Sequence, residues 1–406
     1  MKVQDSDLNG LIPRGEAWRL LNAVVQDGQP MSELTASKRY NELQPAQRAA
    51  AARLCLDTLR YASRADWALK PYLTQKVYPD VQNLLRLAVV EVAVSEAPVH
   101  AVINAAVSLA KSNKRTFRAA GMVNAVLRRT MEDRVQNWAK GPVPNLPKWL
   151  RKILLASYGN ETMSRIERAH FQKPPLDISV KPGAQVDFGE AAMTLSNGTR
   201  RLAQYDQVSA LPGFADGDWW VQDAAAAMAV DMIDIAPQTR ALDMCAAPGG
   251  KTLQLAAKGA NVTALDNAEK RLKRVHENLE RTGLMAKVIC QDALEYKDDP
   301  FDLVLVDAPC SATGTIRRHP DLPYVRRDAD IKSLVALQKK FLAKAADLTA
   351  PCGTMVYCTC SLLPQEGEEQ ARAFLKSRKD FIATAPRGPW IDKDWKTPEG
   401  GIRLRP

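Results

Sequence analysis

Long apolar runs are missing from this chain of 406 residues. The most apolar stretch, Ala224 to Val230, is closed by Asp223 and Asp231, well short of the ~20 residues a membrane-spanning helix needs, so no membrane association is expected. The first residues, Met1-Lys2-Val3-Gln4-Asp5-Ser6-Asp7, lack the apolar centre of a secretory signal, from which a cytoplasmic, reducing compartment is expected. There the seven cysteines read as free thiols rather than a disulfide framework. Histidine is scarce, at four, and no C-x-x-C pair occurs, so Cys352, Cys358 and Cys360 do not read as a zinc site and no metal is expected. G-x-G-x-x-G is absent, which removes a dinucleotide-dependent dehydrogenase. The glycine spacing ahead of Lys251 is not that of a P-loop either.

What is present is positive charge and a change of pattern along the chain. A net charge of +10 favours a polyanionic partner such as nucleic acid. The length is that of more than one domain. Up to about Arg129 the pattern is helical: Val81, Leu84, Leu85, Ala88 and Val92 follow the 3.6-residue period, and Leu87, Val89 and Val90 widen that face until the helix must be buried on most sides. Three prolines in Gly141-Pro142-Val143-Pro144-Asn145-Leu146-Pro147 mark a linker. Residues 141–235 then read as a linker with a small α+β segment, including a strand over Leu176 to Val180. From residue 236 to 406 strands alternate with helices, the mark of a parallel sheet with crossover helices. Its strands are expected at Ala241 to Met244, Val262 to Leu265, Val288 to Cys290, Phe301 to Val306 and Thr354 to Cys358. The fold class is therefore an all-helical domain over 1–140 followed by a Rossmann-like α/β domain.

Ligands of open α/β sheets bind outside the carboxyl ends of the strands, so the residues just past each strand carry the functional argument. After the first strand comes Cys245-Ala246-Ala247-Pro248-Gly249-Gly250-Lys251, a turn whose glycines admit a ligand close to backbone and whose following helix offers unpaired N–H groups. Asp266, Asp292 and Asp307 stand in order at the next strand ends, a series that points to an adenosine ligand, although each alone would serve as a helix cap. Two cysteines occupy corresponding strand ends, in Asp307-Ala308-Pro309-Cys310 and in Thr359-Cys360-Ser361, which points to covalent chemistry. Arg317 and Arg318 follow Cys310 in a loop fit for phosphates, and Lys111, Lys114, Arg115 and Arg118 form a second candidate phosphate-binding cluster on the helical domain. A solvated charged face explains each basic group as well.

These segments resemble a known family. Ala246 to Thr252, Asp307 to Cys310 and Tyr357 to Ser361 look like the signature segments of RNA 5-methylcytosine methyltransferases that use S-adenosylmethionine. Leu87 to Glu91, Val102 to Val107 and Val123 to Arg128 resemble the NusB-like antitermination fold, and the pairing is similar to the bacterial RsmB (Fmu/Sun) type of small-subunit ribosomal RNA methyltransferase. The resemblance implies a NusB-like RNA-binding domain and an S-adenosylmethionine cofactor. It also implies a small-subunit ribosomal RNA substrate, with Cys360 as nucleophile, Cys310 assisting release and Asp307 holding the cytosine; a monomer is expected.

The chain departs from the family pattern in three places. Ser179-Val180-Lys181 stands where members have Arg-Val-Asn, and Gln365-Glu366-Gly367-Glu368 is looser than the usual acidic stretch. No Gly-Phe-Phe-type closing strand precedes Pro406, so a truncated final strand is expected. Three other readings stay open. A tRNA could be the methylated substrate, a DNA-type cytosine methyltransferase would use Cys310 as nucleophile, and a non-catalytic RNA-binding protein would leave the strand-end motifs idle.

Overall fold

The computed structural model describes residues 5–405, apart from 191 and 206, and divides into two compact units. The first comprises residues up to Lys173 together with Thr315–Asp328, and the second comprises Pro174–Gly314 and Ala329 onward. Among the described residues no helix is long and apolar enough to cross a membrane.

The first unit is helical, built on Asp5–Asp27, Pro45–Leu69, Pro79–Ser95, Val99–Ser112 and Ala120–Thr130. All eight apolar positions expected on Pro79–Ser95 are buried, and they meet Leu20, Leu21 and Val24 of the first helix and Leu127 of the fifth in one core. The proline-rich stretch 141–147 lies inside this unit. Arg64 donates to the carbonyls of Pro142 (2.7 Å) and Gly141 (3.0 Å) while its guanidinium lies 4.4 Å from the Phe171 ring centre, and Glu167 accepts from the Leu146 N–H. Prolines cannot supply N–H groups of their own, so side chains from two helices hold this backbone in their place. The helix Lys148–Phe171 breaks at Gly159, where φ of 74° suits glycine and no residue with a side chain. The segment Thr315–Asp328 adds Asp321, whose Oδ2 accepts from the Met31 N–H at 2.9 Å.

In the second unit a small antiparallel sheet has the order β2-β3-β1-β4, with β1 Leu176–Val180, β2 Ala192–Thr194, β3 Arg200–Leu202 and β4 Trp219–Val221. The three short strands beyond β1 escape a sequence reading because none is long enough to show an alternating period. Asp177 is wholly buried, yet it accepts two 2.7 Å bonds from Arg201 and one from the Ala224 N–H, which is how a buried charge is tolerated. Ser179 donates to Gln222 and Lys181 to the Thr282 carbonyl, so the residues of the atypical Ser179-Val180-Lys181 segment are used in packing.

The larger sheet is parallel throughout, in the order β7-β6-β5-β8-β9, with β5 Arg240–Asp243, β6 Asn261–Asp266, β7 Lys287–Cys290, β8 Phe301–Asp307 and β9 Thr349–Cys358. Each expected strand is present: the first is shifted back by one residue, and the other four are lengthened by one to five residues at their start or end. Separate apolar cores cover the two faces, one around Phe301, Val304 and Phe341 and another around Leu255, Leu303 and Leu305. This explains why the strands read as apolar runs without alternation. The order reverses at β5, so the crevice of a doubly wound sheet opens where β5 and β8 end.

Trp219 is fully buried beneath Phe188 and Phe214, and truncating it tests this core. Trp219→Ala should lower stability by about 3–5 kcal/mol, read as a shift of the urea midpoint, whereas Tyr78→Ala should move it by less than about 0.5 kcal/mol. Tyr78, at 74% exposure, serves as the control.

Candidate active site

The turn after β5 is built to leave backbone uncovered. The Gly249 N–H donates to the Ala246 carbonyl at 2.7 Å, and Gly249 itself adopts φ of 107°, a conformation side chains rarely take. A Cβ there would meet Val275 at 3.4 Å. Gly250 opens the helix Gly250–Ala257, so the turn presents peptide groups rather than side chains to the crevice. Asp266 is 4% exposed and braces the turn: its carboxylate accepts from the N–H groups of Ala247 (3.2 Å) and Ala268 (3.0 Å), and Arg271 links it to the Ala247 carbonyl. Asp292 is exposed past β7 and accepts from the Leu294 N–H.

Asp243, at the end of β5, lies behind the same turn. Its Oδ2 accepts from Thr252 at 2.7 Å, while Oδ1 is buried with no partner among the described residues. Burial pushes this carboxyl up to about 6, against the hydrogen bond from Thr252. A peptide-lined turn on paired glycines, with an acid at the end of each of β5 and β6, fits the α-amino-acid and ribose groups of an adenosine cofactor. The sequence alone gives no role to Asp243 or Thr252, although Asp243 lies in the first expected strand and Thr252 ends the segment Ala246 to Thr252.

The second half of the site is made by two loops. Asp307 stays half-buried at the end of β8 and holds Lys251 at 2.7 Å. Burial works against the lysine charge, but the carboxylate beside it outweighs that cost and keeps the ammonium protonated far above the ordinary range. Lys251, expected among the cofactor contacts, is thus tied to the carboxylate at the end of β8. The Sγ atoms of Cys310 and Cys360 are 3.3 Å apart. Cys360 is exposed, whereas Cys310 is 8% exposed and its thiol is raised well above normal by the hydrogen bond to Cys360 and by burial. Cys358 points elsewhere, 3.6 Å from the Val306 carbonyl and 3.8 Å from Asp307, and burial raises its thiol strongly. Burial does the same to Cys245. Gly314 lets the loops close: its N–H bonds the Cys360 carbonyl at 2.8 Å, and a Cβ would stand 2.8 Å from that oxygen.

The basic candidates are placed differently. Arg317 and Arg318 fall in the segment that belongs to the helical unit, where Arg317 donates to the Lys173 carbonyl at 2.8 Å. Lys111, Lys114, Arg115 and Arg118 are exposed on that unit, with Phe117 between them at 61% exposure. Among the described residues no three His, Cys, Asp or Glu side chains gather as a metal site.

Comparison with known proteins adds to this geometry. Residues 230–389 match the family of the 16S rRNA methyltransferase RsmB/F, and residues 12–132 match the NusB family. The chain is 36% identical over 384 residues to ribosomal RNA small subunit methyltransferase B of Serratia proteamaculans (strain 568), covering 89% of each chain. It is 36% identical over 390 residues to the protein of the same name from Pseudomonas putida, covering 89% of this chain and 88% of that one. The crystal structure of PH0851 shares the fold, with a TM-score of 0.70 over 97% of this chain and 95% of that chain at 22% identity. The chain therefore belongs to the ribosomal RNA small subunit methyltransferase B family, methyltransferases that use S-adenosylmethionine.

Proposed function

We propose that this protein methylates carbon 5 of a cytosine in small-subunit ribosomal RNA through a covalent cysteine adduct, in the cytoplasm. The observation that carries the reading is the cysteine pair, one exposed and one buried, 3.3 Å apart beside the Asp307–Lys251 pair. Carbon 5 of cytosine is too electron-poor to take a methyl group directly. Addition of the Cys360 thiolate to carbon 6 makes carbon 5 enamine-like and nucleophilic. The turn 245–251 with Asp266 and Asp292 would hold S-adenosylmethionine, which would supply a methyl group activated on a sulfonium. After transfer, carbon 5 loses its proton and the carbon 6–sulfur bond breaks, returning the electron pair to Cys360, with Cys310 alongside to assist that release. Asp307 faces the N3 and amino edge of the base and accepts from the amine, and Lys251 orients its carboxylate. An unstacked or flipped base is required, since the ring carbons cannot be reached inside a helix.

The DNA-type alternative, with Cys310 attacking, asks the buried thiol with the raised pKa to be the nucleophile. Cys360→Ala should therefore give neither methylation nor a covalent complex, while Cys310→Ala should transfer the methyl group and stall, migrating with unmodified RNA on a denaturing gel. A stalled complex in Cys360→Ala and none in Cys310→Ala would exchange the roles. In calorimetry, Asp266→Ala should weaken S-adenosylmethionine binding by about 1.5–3 kcal/mol, roughly tenfold to a hundredfold, and unchanged affinity would remove Asp266 from the cofactor site.

The exposed cluster of Lys111, Lys114, Arg115 and Arg118 supports RNA docking by the helical unit. Removing one of them should lower the slope of log K against log salt by about 0.7–0.9 without touching cofactor affinity. A slope equal to that of the unmodified protein would take the residue out of the RNA contact.

A further inference from the structure

Each of the two cysteines is followed by a serine, Ser311 after Cys310 and Ser361 after Cys360, and both serines turn inward to the same carboxylate. That carboxylate belongs to Glu366, which is 0% exposed. Its Oε1 accepts from the Ser311 N–H at 2.9 Å and from Gln338 Nε2 at 3.0 Å. Its Oε2 accepts from the hydroxyls of Ser311 and Ser361, the latter at 2.6 Å. The two hydroxyls are themselves 3.1 Å apart, and Thr313 closes the ring at 3.2 Å from Ser361.

The supports of this carboxylate are buried in turn. Gln338, fully buried on the helix Asp328–Asp347, also donates to the Pro309 carbonyl at 2.9 Å, and its own oxygen accepts from Gln370. Tyr357, at the end of β9, donates to the Glu366 carbonyl at 2.8 Å. One acidic side chain thus gathers donors from both cysteine loops and from a helix that also holds the peptide before Cys310. A carboxylate placed out of water needs all of these donors, and losing it leaves four donors to find other partners, so the arrangement has little freedom to drift.

We propose that Glu366 is a positioning residue whose carboxylate ties Ser311 to Ser361 and thereby sets the distance between the Cys310 and Cys360 thiols. It touches neither base nor cofactor and acts only through the two loops. The proposal rests on the covalent reading above for its catalytic meaning, but its geometric content can be measured without RNA. Diamide oxidises two neighbouring thiols: both S–H bonds break, one S–S bond forms, and the two hydrogens with their electrons reduce the azo group to a hydrazine.

In the full-length protein, diamide should produce a Cys310–Cys360 disulfide, identified by peptide mass mapping and absent from Cys310→Ala. Glu366→Ala should slow that oxidation and lower kcat by about tenfold to a hundredfold each, the scale of a thiol displaced by roughly an ångström, with calorimetric S-adenosylmethionine affinity unchanged. Glu366→Gln should restore both rates to near wild type. Its amide oxygen keeps the acceptor for the two N–H donors, and its NH2 meets two hydroxyls that can rotate to accept. The double variant Ser311→Ala with Ser361→Ala carries the same test without emptying the Glu366 site, and it too should slow oxidation.

The proposal is overturned by wild-type oxidation rates in Glu366→Ala or in the serine double variant, by the absence of a 310–360 disulfide in the unmodified protein, or by parallel loss of cofactor affinity, which would make Glu366 a general folding residue. A protein that oxidises as expected but forms no covalent complex with 5-fluorocytosine-substituted small-subunit ribosomal RNA would refute the covalent reading and leave the spacing role standing.

Discussion

The parallel pairing of β8 with β9 is the constraint on which the site depends. Its register sets Asp307 opposite Cys358 and Val306 opposite Tyr357, so the two strands finish level with one another at the same edge of the sheet. The loops that leave them then have one direction in which to go, and the cysteines a short way past each strand end meet. From Leu303 to Asp307 that register is held by continuous pairing and by side chains buried on both faces, so a slip would disrupt Leu303, Val304, Leu305 and Val306 together. The ladder holds the thiols near each other, and the loops refine that distance.

Burial divides the chemistry among otherwise similar groups. Cys245, Cys310 and Cys358 have thiols raised by desolvation or by a neighbouring thiol, which disfavours the thiolate. Cys360 alone of the four is exposed. Among the acids, Asp177 and Glu366 are buried within sets of donors, while Asp307 is half-buried, with Lys251 on one oxygen and the Cys358 thiol 3.8 Å from the other. The same side-chain types thus differ in how many donors surround them and how much water remains.

The helical core was legible because eight apolar residues in Val81 to Val92 leave only a narrow polar face at Gln82 and Arg86. The large sheet was legible because its apolar runs alternate with helical patterns. The linker shows the limit of that reading: three prolines exclude a helix but say nothing of what binds the backbone, and Arg64 and Glu167 do so from remote positions in the sequence. The loop of Arg317 and Arg318 follows Cys310 in sequence, yet its contacts cluster it with the helical unit. Glu366 was visible only as part of a loose acidic stretch, since no local pattern distinguishes a carboxylate that caps a helix from one that gathers two distant serines.

By itself the sequence determined the order of elements, the apolar faces, the glycine turn and the presence of a cysteine past each of two strands. These are local properties, written in periodicity, in the conformational freedom of glycine and in the chemistry of single residues. Only the tertiary structure decided that the two thiols lie 3.3 Å apart, that one is exposed and the other buried, that Lys251 pairs with Asp307, and that Glu366 joins the loops. Distance and burial depend on which segments pack together, and that is settled by strand register and core packing over the whole unit rather than by any stretch of chain alone.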